Sequence, residues 1–181
     1  MKFIDTILTG AYLLAQEPIT DERGFFARSY CSKKFQERGL PPQMVQGNMA
    51  FNLHAGTLRG LHYQIPPSRE AKLVRCTMGA IRDVIVDLRP ESPTYLQHFS
   101  VDLTAENRMA IYVPPFFAHG YQTLVDNTEV SYLVSDFHTP ECERGLRYDD
   151  PVLGIHWPLP PSLISARDRA WPLLEAAGTP S

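Results

Sequence analysis

Short apolar segments recur along the chain, and proline or glycine interrupts them at nearly regular intervals. This punctuation is typical of many short antiparallel strands and does not suit a bundle of long helices. A series of such strands predicts a sandwich, a jelly roll or a small barrel. The predicted strands cover residues 11–15, 24–30, 43–54, 57–64, 71–77, 80–88, 97–103, 109–113, 120–124 and 129–136.

Helical signals are sparse. Residues 32–39 (SKKFQERG) predict a short helix with Ser32 as its N-cap and Gly39 as its stop. Residues 165–178 predict either a helix or two short turns. Because the chain shows no repeat, linker or low-complexity tract, we predict a single domain over residues 1–181, with a frayed tail at residues 176–181.

The composition suits a globular protein with a buried core. Hydrophobic residues make up 44% of the chain, charged residues 20%, and the formal net charge is -3. This charge disfavours a general nucleic-acid surface, so an anionic ligand would need a local arginine cluster. Asp5, Thr6 and Gly10 break the N-terminal segment and no long apolar run follows. We therefore predict neither a membrane span nor a secretory signal, and we expect a cytoplasmic protein.

Three ionisable side chains, His62, Lys72 and Tyr132, share strand faces with hydrophobic neighbours. Alternate residues of a strand face opposite sides, so all three are predicted to point inward. Singly, each has a structural explanation: a satisfied core histidine, a lysine that reaches out of a barrel mouth, or a packed tyrosine. Together they predict a site, since lysine is almost never fully buried unless it is paired.

A metal site is the alternative role for His62. Such a site would draw several histidines, or histidine with carboxylate, from neighbouring positions. Gln64 stands where a second ligand would be wanted, and His119 without an evident carboxylate completes a poor set. We therefore predict no metal. The three cysteines, Cys31, Cys76 and Cys142, are widely spaced and odd in number. We therefore predict reduced thiols, and neither disulfides nor a zinc knuckle.

Several separated motifs carry a family resemblance: DERGFF (21–26), QGN (46–48), LRGLHYQ (58–64), AKLVR (71–75), DVIVDLR (83–89), SPT (92–94), FAHGY (117–121), ERGLRYDDP (143–151) and WP (157–158). In this order they resemble the dTDP-4-dehydrorhamnose 3,5-epimerase family over residues 3–172. The resemblance implies an all-β, cupin-type jelly roll, also called a double-stranded β-helix, with a few short helices. It also implies an enzyme without metal or other cofactor, and a homodimer whose N-terminal strands pair across the interface.

The resemblance assigns a task to each inward group. It implies an isomerase of deoxysugar biosynthesis that acts on a nucleotide-linked, dTDP-type, 4-keto-6-deoxyhexose. His62 would remove the proton next to the keto group, Tyr132 would return one from the opposite face, and Lys72 would lie near the keto oxygen of the enolate. Asp168 would orient His62. Asp83 is a second candidate for that task, and a carboxylate at a helix N-terminus is the structural alternative for Asp168.

The matched positions also imply substrate contacts. Pyrophosphate contacts suit Arg23, Arg59 and Arg167, because a guanidinium can bind oxygens in pairs. Arg23 and Phe26 belong to the region that the family exchanges between subunits, so a neighbouring chain is expected to complete the site. Polar contacts to sugar, ribose or base are expected from Gln46, Asn48, His119 and Glu143.

Two departures from the family pattern bear on specificity. Arg28 stands where the family commonly has a substrate-contacting glutamate, and His138 where it has a tyrosine that stacks on thymine. They leave open the nucleotide carrier and whether C3, C5 or both are inverted. A ketoisomerase on another nucleotide sugar and a non-catalytic sugar-nucleotide binding module are further alternatives.

Arg59 and His62 pose a problem of register. They are an odd number of positions apart, so a regular strand would aim them at opposite faces. Gly60 lies between them and can accommodate a bulge or twist. We therefore predict an irregularity near Gly60.

Overall fold

Two β-sheets make up most of the computed structural model, which describes residues 1–174. The strands are β1 (Lys2–Asp5), β2 (Tyr12–Ala15), β3 (Ile19–Asp21), β4 (Gly24–Phe26), β5 (Gln46–Asn52), β6 (Thr57–Gln64), β7 (Lys72–Met78), β8 (Ala80–Asp87), β9 (His98–Thr104), β10 (Ala110–Val113), β11 (Phe117–Thr123), β12 (Thr128–Val134), β13 (Glu143–Gly145) and β14 (Leu163–Ile164). The helices are α1 (Ser32–Gln36) and α2 (Ala166–Arg169), and a 3-10 turn covers Pro140–Cys142.

The chain passes back and forth between the two sheets. The first sheet has the strand order β1-β2-β10-β7-β12-β5, and the second has β13-β6-β11-β8-β9 with β14 beside β6. Strands β3 and β4 form a separate hairpin. From β5 to β13 almost every connection crosses from one sheet to the other, which is the connectivity of a jelly roll.

The main core lies between the sheets. Strands of both sheets contribute aliphatic side chains with almost no exposed surface, among them Val74, Ile85, Ile111 and Val130. Burial of this kind stabilises the fold by about 25 cal/mol for each Å² of apolar surface removed from water. Smaller clusters cover the outer faces of the sheets, and Phe35 of α1 is fully buried in one of them.

The strand predictions are confirmed for most of the sandwich. Residues 57–64 form β6 as predicted, and the strands from β7 to β12 lie within a few residues of the predicted ranges. The strand predicted at 24–30 ends at Phe26, and the one predicted at 43–54 covers only Gln46–Asn52. Four strands were not predicted: β1, β3, β13 and β14. They have two to four residues each and carry no clear alternation, so partners elsewhere in the chain define them.

The helix predictions are partly wrong. Ser32 is the first residue of α1 and not its N-cap, a position that Cys31 occupies without a side-chain hydrogen bond. The helix ends near the predicted stop, where Gly39 adopts a φ of +70°. The predicted helix at 165–178 is confirmed only as the single turn α2, and residues 175–181, with the predicted frayed tail, lie outside the described residues. The single domain over the whole chain stays a prediction.

The predicted irregularity at Gly60 is confirmed. The pairing of β6 with β11 shifts register between His119 and Tyr121, opposite this glycine. Gly60 has a φ of +112°, and a Cβ there would lie 2.7 Å from both Cα of Gly120 and the carbonyl oxygen of His119. Only glycine allows the two backbones to approach so closely. Among residues 1–174, no helix has the length and apolar character needed to cross a membrane.

Candidate active site

A cleft of about 470 Å³ opens between the two sheets, and His62, Lys72 and Tyr132 all line it. His62 comes from β6 of the second sheet, whereas Lys72 and Tyr132 come from the neighbouring strands β7 and β12 of the first. The inward direction predicted for these three side chains is therefore confirmed. A ligand in the cleft would have the histidine on one side and the tyrosine on the other.

Lys72 and Tyr132 are diagonal neighbours on one sheet face. In the pairing of β7 with β12, Tyr132 lies opposite Val74 and Lys72 lies opposite Val134. Diagonal positions of this kind allow long side chains to reach the same point. The ammonium and the phenol therefore belong to one wall of the cleft.

A carboxylate fixes the imidazole of His62. Oδ1 of Asp168 lies 2.6 Å from Nε2 of His62, and Oδ2 of Asp168 accepts a hydrogen bond from the Gly60 amide at 3.3 Å. A carboxylate on Nε2 favours the tautomer with a proton there, which leaves Nδ1 free to accept one. The orienting partner expected for His62 is thus Asp168.

Asp168 lies in the first turn of α2, so the structural alternative considered for it also holds. Its amide donates to the hydroxyl of Ser165, which is the N-cap of the helix. Burial alone would raise the pKa of Asp168, but the hydrogen bond and charge of His62, together with the Gly60 amide, lower that pKa below its usual value. The carboxylate therefore stays ionised beside the imidazole near neutral pH.

Asp83 is not the partner of His62, and that alternative is wrong. Its Oδ2 lies 2.8 Å from Nε2 of His119, the residue of β11 directly opposite His62 in the β6–β11 pairing. Asp83 is on the next strand, β8, and is fully buried. His119 also lines the cleft. The two histidines therefore stand side by side, each with its own carboxylate.

Arg59 reaches the cleft as predicted, from the same strand as His62. Its Nε donates to Oδ1 of Asn52 at 2.8 Å, and the Asn52 side chain is held in turn by the Thr128 carbonyl at 3.1 Å and lies 3.4 Å from the Tyr121 hydroxyl. The irregularity at Gly60 lets both Arg59 and His62 face one cavity. Asn52 was not predicted, because its position at the end of a strand carries no sequence signal of a side-chain contact.

An adjoining pocket of about 220 Å³ continues the cleft and shares His62, Lys72 and Tyr132 with it. The predicted contact residues Gln46, Asn48, His138 and Glu143 line this second part. Gln46 and Asn48 come from alternate positions of β5, so both face inward. The structure thus brings together most of the side chains that the sequence analysis assigned to substrate contacts.

Glu143 links Arg167 and His138 at the rim. Its Oε1 lies 2.8 Å from Arg167, and its Oε2 lies 3.3 Å from Nε2 of His138. Burial opposes the effect, but Arg167 and His138 together hold the pKa of Glu143 below its usual value. Arg167, the predicted pyrophosphate contact, is therefore already paired with a carboxylate. A ligand that bound Arg167 would have to share or displace this partner.

Trp171 supports this rim from behind. The guanidinium of Arg167 lies 5.3 Å from the centre of its ring. The indole also packs against Gly145 of β13 so tightly that a Cβ on this glycine would lie 2.2 Å from Cε2 of the ring. Gly145 pairs with His62 across β13 and β6. Trp171 was not predicted as part of the site, because only the three-dimensional fold brings it to β13.

Arg23 and Phe26 lie outside the cleft of their own chain. Both belong to the β3–β4 hairpin, with the Arg23 side chain 86% exposed and Phe26 65% exposed. Neither is among the residues that line either part of the cleft. Their predicted role stays a prediction that requires a second chain.

Glu70 is a cleft residue that the sequence analysis missed. Its carboxylate lies 3.2 Å from Nζ of Lys72 and is almost fully buried. Glu70 precedes both the predicted strand at 71–77 and β7, so strand alternation gave no signal for it. Within residues 1–174, no group of three or more His, Cys, Asp or Glu side chains is arranged to hold a metal ion.

Tyr132 is poised to remain a phenol. Burial raises the pKa of Tyr132 above its usual value, and the negative charges of Glu70 and Glu143 add to this effect against the opposing charge of Arg59. A protonated tyrosine in a cleft can act as a general acid. The cleft therefore holds an oriented imidazole on one side and a proton donor on the other.

Comparisons with known proteins agree with this arrangement. The family profile described as dTDP-4-dehydrorhamnose 3,5-epimerase matches residues 5–176. A relative of that name from Methanothermobacter thermautotrophicus is 43% identical over 178 residues, which cover 96% of this chain and 95% of the relative. A dTDP-4-dehydrorhamnose 3-epimerase from Streptomyces niveus is 35% identical over 171 residues, covering 94% of this chain and 82% of the relative.

A solved structure extends the similarity to three dimensions. The dTDP-4-dehydrorhamnose 3,5-epimerase from Bacillus anthracis, crystallised with TDP and PPi bound, matches with a TM-score of 0.91 and 42% identity, over 96% of this chain and 99% of that chain. The fold and the cleft define a jelly-roll enzyme of the cupin type, in the isomerase class. The chain belongs to the dTDP-4-dehydrorhamnose 3,5-epimerase family.

Proposed function

We propose that this protein inverts C3 and C5 of a dTDP-linked 4-keto-6-deoxyhexose by proton transfer through an enolate. The observation that carries the proposal is the placement of His62, held by Asp168 of α2, on one sheet and of Tyr132 on the facing sheet. Removal of a proton from one face and return of a proton to the other inverts a carbon centre. The placement of the two side chains on opposite walls of the cleft supports such a transfer.

In this mechanism, His62 accepts the proton of the carbon next to the keto group at Nδ1. Asp168 keeps the other ring nitrogen protonated and stabilises the imidazolium that forms. The electron pair moves into an enolate, and its negative charge falls on the keto oxygen. Lys72 supplies a fixed ammonium for this oxyanion in a partly dry cleft, where it stabilises charge more than water would.

Tyr132 then delivers its proton to the opposite face of the same carbon. The phenol is suited to this step because burial raises the pKa of Tyr132 and so keeps its proton available. Arg59 at one end of the cleft and Arg167 at the rim are suited to the diphosphate, as expected for guanidinium groups that meet paired oxygens. The adjoining pocket with Gln46 and Asn48 is suited to the nucleoside.

The decisive experiment follows solvent deuterium into dTDP-4-keto-6-deoxyglucose by NMR, with each carbon observed separately. We expect incorporation at both C3 and C5 with wild-type protein and its loss with His62→Ala. His156→Ala is the matched control, because His156 is exposed and does not line the cleft. If no nucleotide-linked 4-keto-6-deoxy sugar exchanged at C3 or at C5, the proposal would be refuted.

The same spectra decide between double and single inversion. The 3-epimerase from Streptomyces niveus, 35% identical to this chain, favours inversion at C3 alone as the second candidate. Deuterium at C3 without deuterium at C5 would support it. Parallel assays with UDP- and GDP-linked sugars test the nucleotide, and metal analysis of active protein tests the expectation that no metal is used.

A homodimer that completes the cleft is also part of the proposal. The hairpin that carries Arg23 exposes Ile19 and Phe26, and β5, the edge strand of its sheet within residues 1–174, exposes Met49. Exposed apolar side chains on a free edge suit pairing with a second chain. Because alternate residues of β5 line the cleft, a chain that paired there would extend the cleft wall.

Complementation tests the shared site. Arg23→Ala and His62→Ala each remove one half of the proposed machinery, so each purified variant should have little activity. Co-expressed chains would form mixed dimers in which one cleft holds an intact His62 and the partner's intact Arg23. Recovered activity is expected, and no recovery in proven mixed dimers would contradict sharing. The cytoplasmic location stays a prediction, which cell fractionation tests.

A further inference from the structure

Glu70 lines the cleft but has no role in the proposed mechanism. Its Oε1 lies 3.2 Å from Nζ of Lys72, and its Oε2 accepts a hydrogen bond from Nε2 of Gln64 at 3.1 Å. The Glu70 side chain is only 8% exposed. A charge buried to this extent is tolerated only when it is paired and hydrogen-bonded, and both oxygens are engaged here.

The backbone around Glu70 is fixed on both sides. The amide of Ala71 donates to the Ser135 hydroxyl at 2.8 Å, and the Ser135 amide donates to the Ala71 carbonyl at 3.0 Å. The Arg69 amide donates to Oδ2 of Asp136 at 3.1 Å. The carboxylate therefore projects from a tethered loop, as a positioning group requires.

The pairing directs the ammonium of Lys72. An ammonium has three N–H donors, and Glu70 accepts one of them. The remaining donors are then confined to a cone that points away from Glu70. Without this partner, Lys72 would carry its charge on a flexible side chain that rotates freely. Such an ammonium is poorly suited to directing a hydrogen bond at one oxygen atom of a ligand.

The same carboxylate faces the phenol of Tyr132. Lys72 faces this phenol from its own sheet, while Arg59, His62, Tyr121 and Glu143 face it from the second sheet. The positive charge of Arg59 near this phenol favours the phenolate. Glu70 opposes it, and its negative charge adds to burial in raising the pKa of Tyr132.

We propose that Glu70 is a positioning residue of the reaction, which aims the Lys72 ammonium at the enolate oxygen and keeps Tyr132 in its proton-donating form. This inference rests on the proposed function. Glu70 would thus give a negative charge a role in a cleft whose other groups suit an anionic substrate. The pair with Lys72 limits the cost of that charge for substrate binding.

Two substitutions separate charge from position. Glu70→Gln keeps the shape and removes the charge, and its new amide can donate to Oε1 of Gln64, which is buried without a hydrogen-bond partner in the described part of the chain. Glu70→Asp keeps the charge and withdraws it by one methylene. Asp102→Asn is the control, because Asp102 pairs with Arg82 on the surface, away from the cleft.

The pH profile of kcat provides the kinetic test. We expect Glu70→Gln to lower kcat by about tenfold at neutral pH, a barrier change of about 1.4 kcal/mol, and to move the alkaline limb to lower pH. Glu70→Asp should lower kcat while it leaves the alkaline limb near that of wild type. An unchanged kcat and limb in Glu70→Gln, or an unchanged kcat in Glu70→Asp, would overturn the proposal.

A titration without substrate separates this inference from the proposed function. Protein labelled at Cζ of tyrosine reports the ionisation of Tyr132 by NMR, with Tyr132→Phe used to assign the signal. We expect Tyr132 to ionise at lower pH in Glu70→Gln than in wild type, and Asp102→Asn to match wild type. The same titration in wild type and Glu70→Gln would refute the electrostatic effect of Glu70 even if epimerase activity were established.

Discussion

Asp168 and His62 are 106 positions apart in the chain, yet Oδ1 of the carboxylate lies 2.6 Å from Nε2 of the imidazole. The aspartate belongs to a helix of a single turn, and the histidine belongs to a strand in the second sheet. This contact sets the tautomer of the histidine and leaves Nδ1 as the site that takes up a proton.

Asp168→Asn should lower kcat by about 10²- to 10⁴-fold, because the amide neither fixes the tautomer nor stabilises the imidazolium. KM should change much less, since Asp168 is almost fully buried and its carboxylate is engaged by His62 and the Gly60 amide. Asp149→Asn is a matched control, because Asp149 pairs with Arg147 at the surface. Deuterium incorporation under saturating substrate measures the effect, and a loss confined to KM would exclude the proposed role of Asp168.

Tyr132→Phe should separate the two halves of the reaction. The ring still fills its place, but no proton can be returned from that side, so formation of inverted product should fall by about 10²- to 10⁴-fold. Proton removal by His62 should continue, and deuterium should therefore still enter the substrate. NMR of substrate and product in deuterated buffer measures both. Equal loss of exchange and of inversion would show that Tyr132 does more than donate the proton.

The activity should depend on pH through the phenol of Tyr132. A phenol whose pKa is raised keeps its proton to higher pH than an ordinary tyrosine does. Activity that depends on protonated Tyr132 should therefore persist into the alkaline range and fall only as pH rises through the raised pKa. The alkaline limb of kcat measures this in wild type, and an alkaline limb below the ordinary tyrosine range would point to a different group.

Asp87 should contribute to stability in a pH-dependent way. Burial alone would raise its pKa, but hydrogen bonds from Arg89, Ser92 and Thr94 lower it from 3.8 to about 2. A lowered pKa stabilises the fold above pH 3.8 and loses that effect as the pH falls toward 2. The shift corresponds to about 2 kcal/mol.

Asp87→Asn should therefore reduce the free energy of unfolding by about 2 kcal/mol at pH 7, with a smaller difference from wild type near pH 2 to 3. Urea unfolding at a series of pH values measures both. Asp102→Asn, which removes a surface partner of Arg82, should cost less than about 1 kcal/mol. A difference that stays constant down to pH 2 would show that shape, and not charge, accounts for the loss.

Gly145→Ala should damage both stability and activity. Its Cβ would overlap the ring of Trp171, so the indole, and with it Arg167 and α2, would have to move. Overpacking of this kind typically costs about 1 to 3 kcal/mol. Because α2 carries Asp168, we also expect a lower kcat.

The double variant Gly145→Ala, Trp171→Ala distinguishes this contact from a general effect of the alanine. Removal of the ring makes room for the new methyl group, so the two losses should not add. Chemical unfolding and kcat of the two single variants and the double variant form the complete cycle. Additive losses would show that the contact between Gly145 and Trp171 does not couple β13 to α2.

The local pattern of hydrophobic and polar residues predicted much of the fold and the central part of the site. Alternation along 57–64, 71–77 and 129–136 was enough to turn His62, Lys72 and Tyr132 inward, because strand geometry depends only on neighbouring residues. Gly60, between two residues that need the same side, was enough to predict the irregularity in β6. Strands of two to four residues such as β1 and β14 could not be predicted from local pattern, since their pairing partners define them.

The sequence by itself therefore determined an antiparallel β fold of the sandwich, jelly-roll or barrel type with an inward histidine, lysine and tyrosine, and, through its motifs, the family. The family motifs predicted Asp168 as the partner of His62 and left Asp83 as the alternative, and the tertiary structure decided for Asp168. Only the tertiary structure showed that Asp83 pairs with His119 and Glu70 with Lys72. The physical reason is range. Side-chain direction is a local property of the backbone, whereas an ion pair depends on which distant strands and helices the packing of the core brings within about 3 Å.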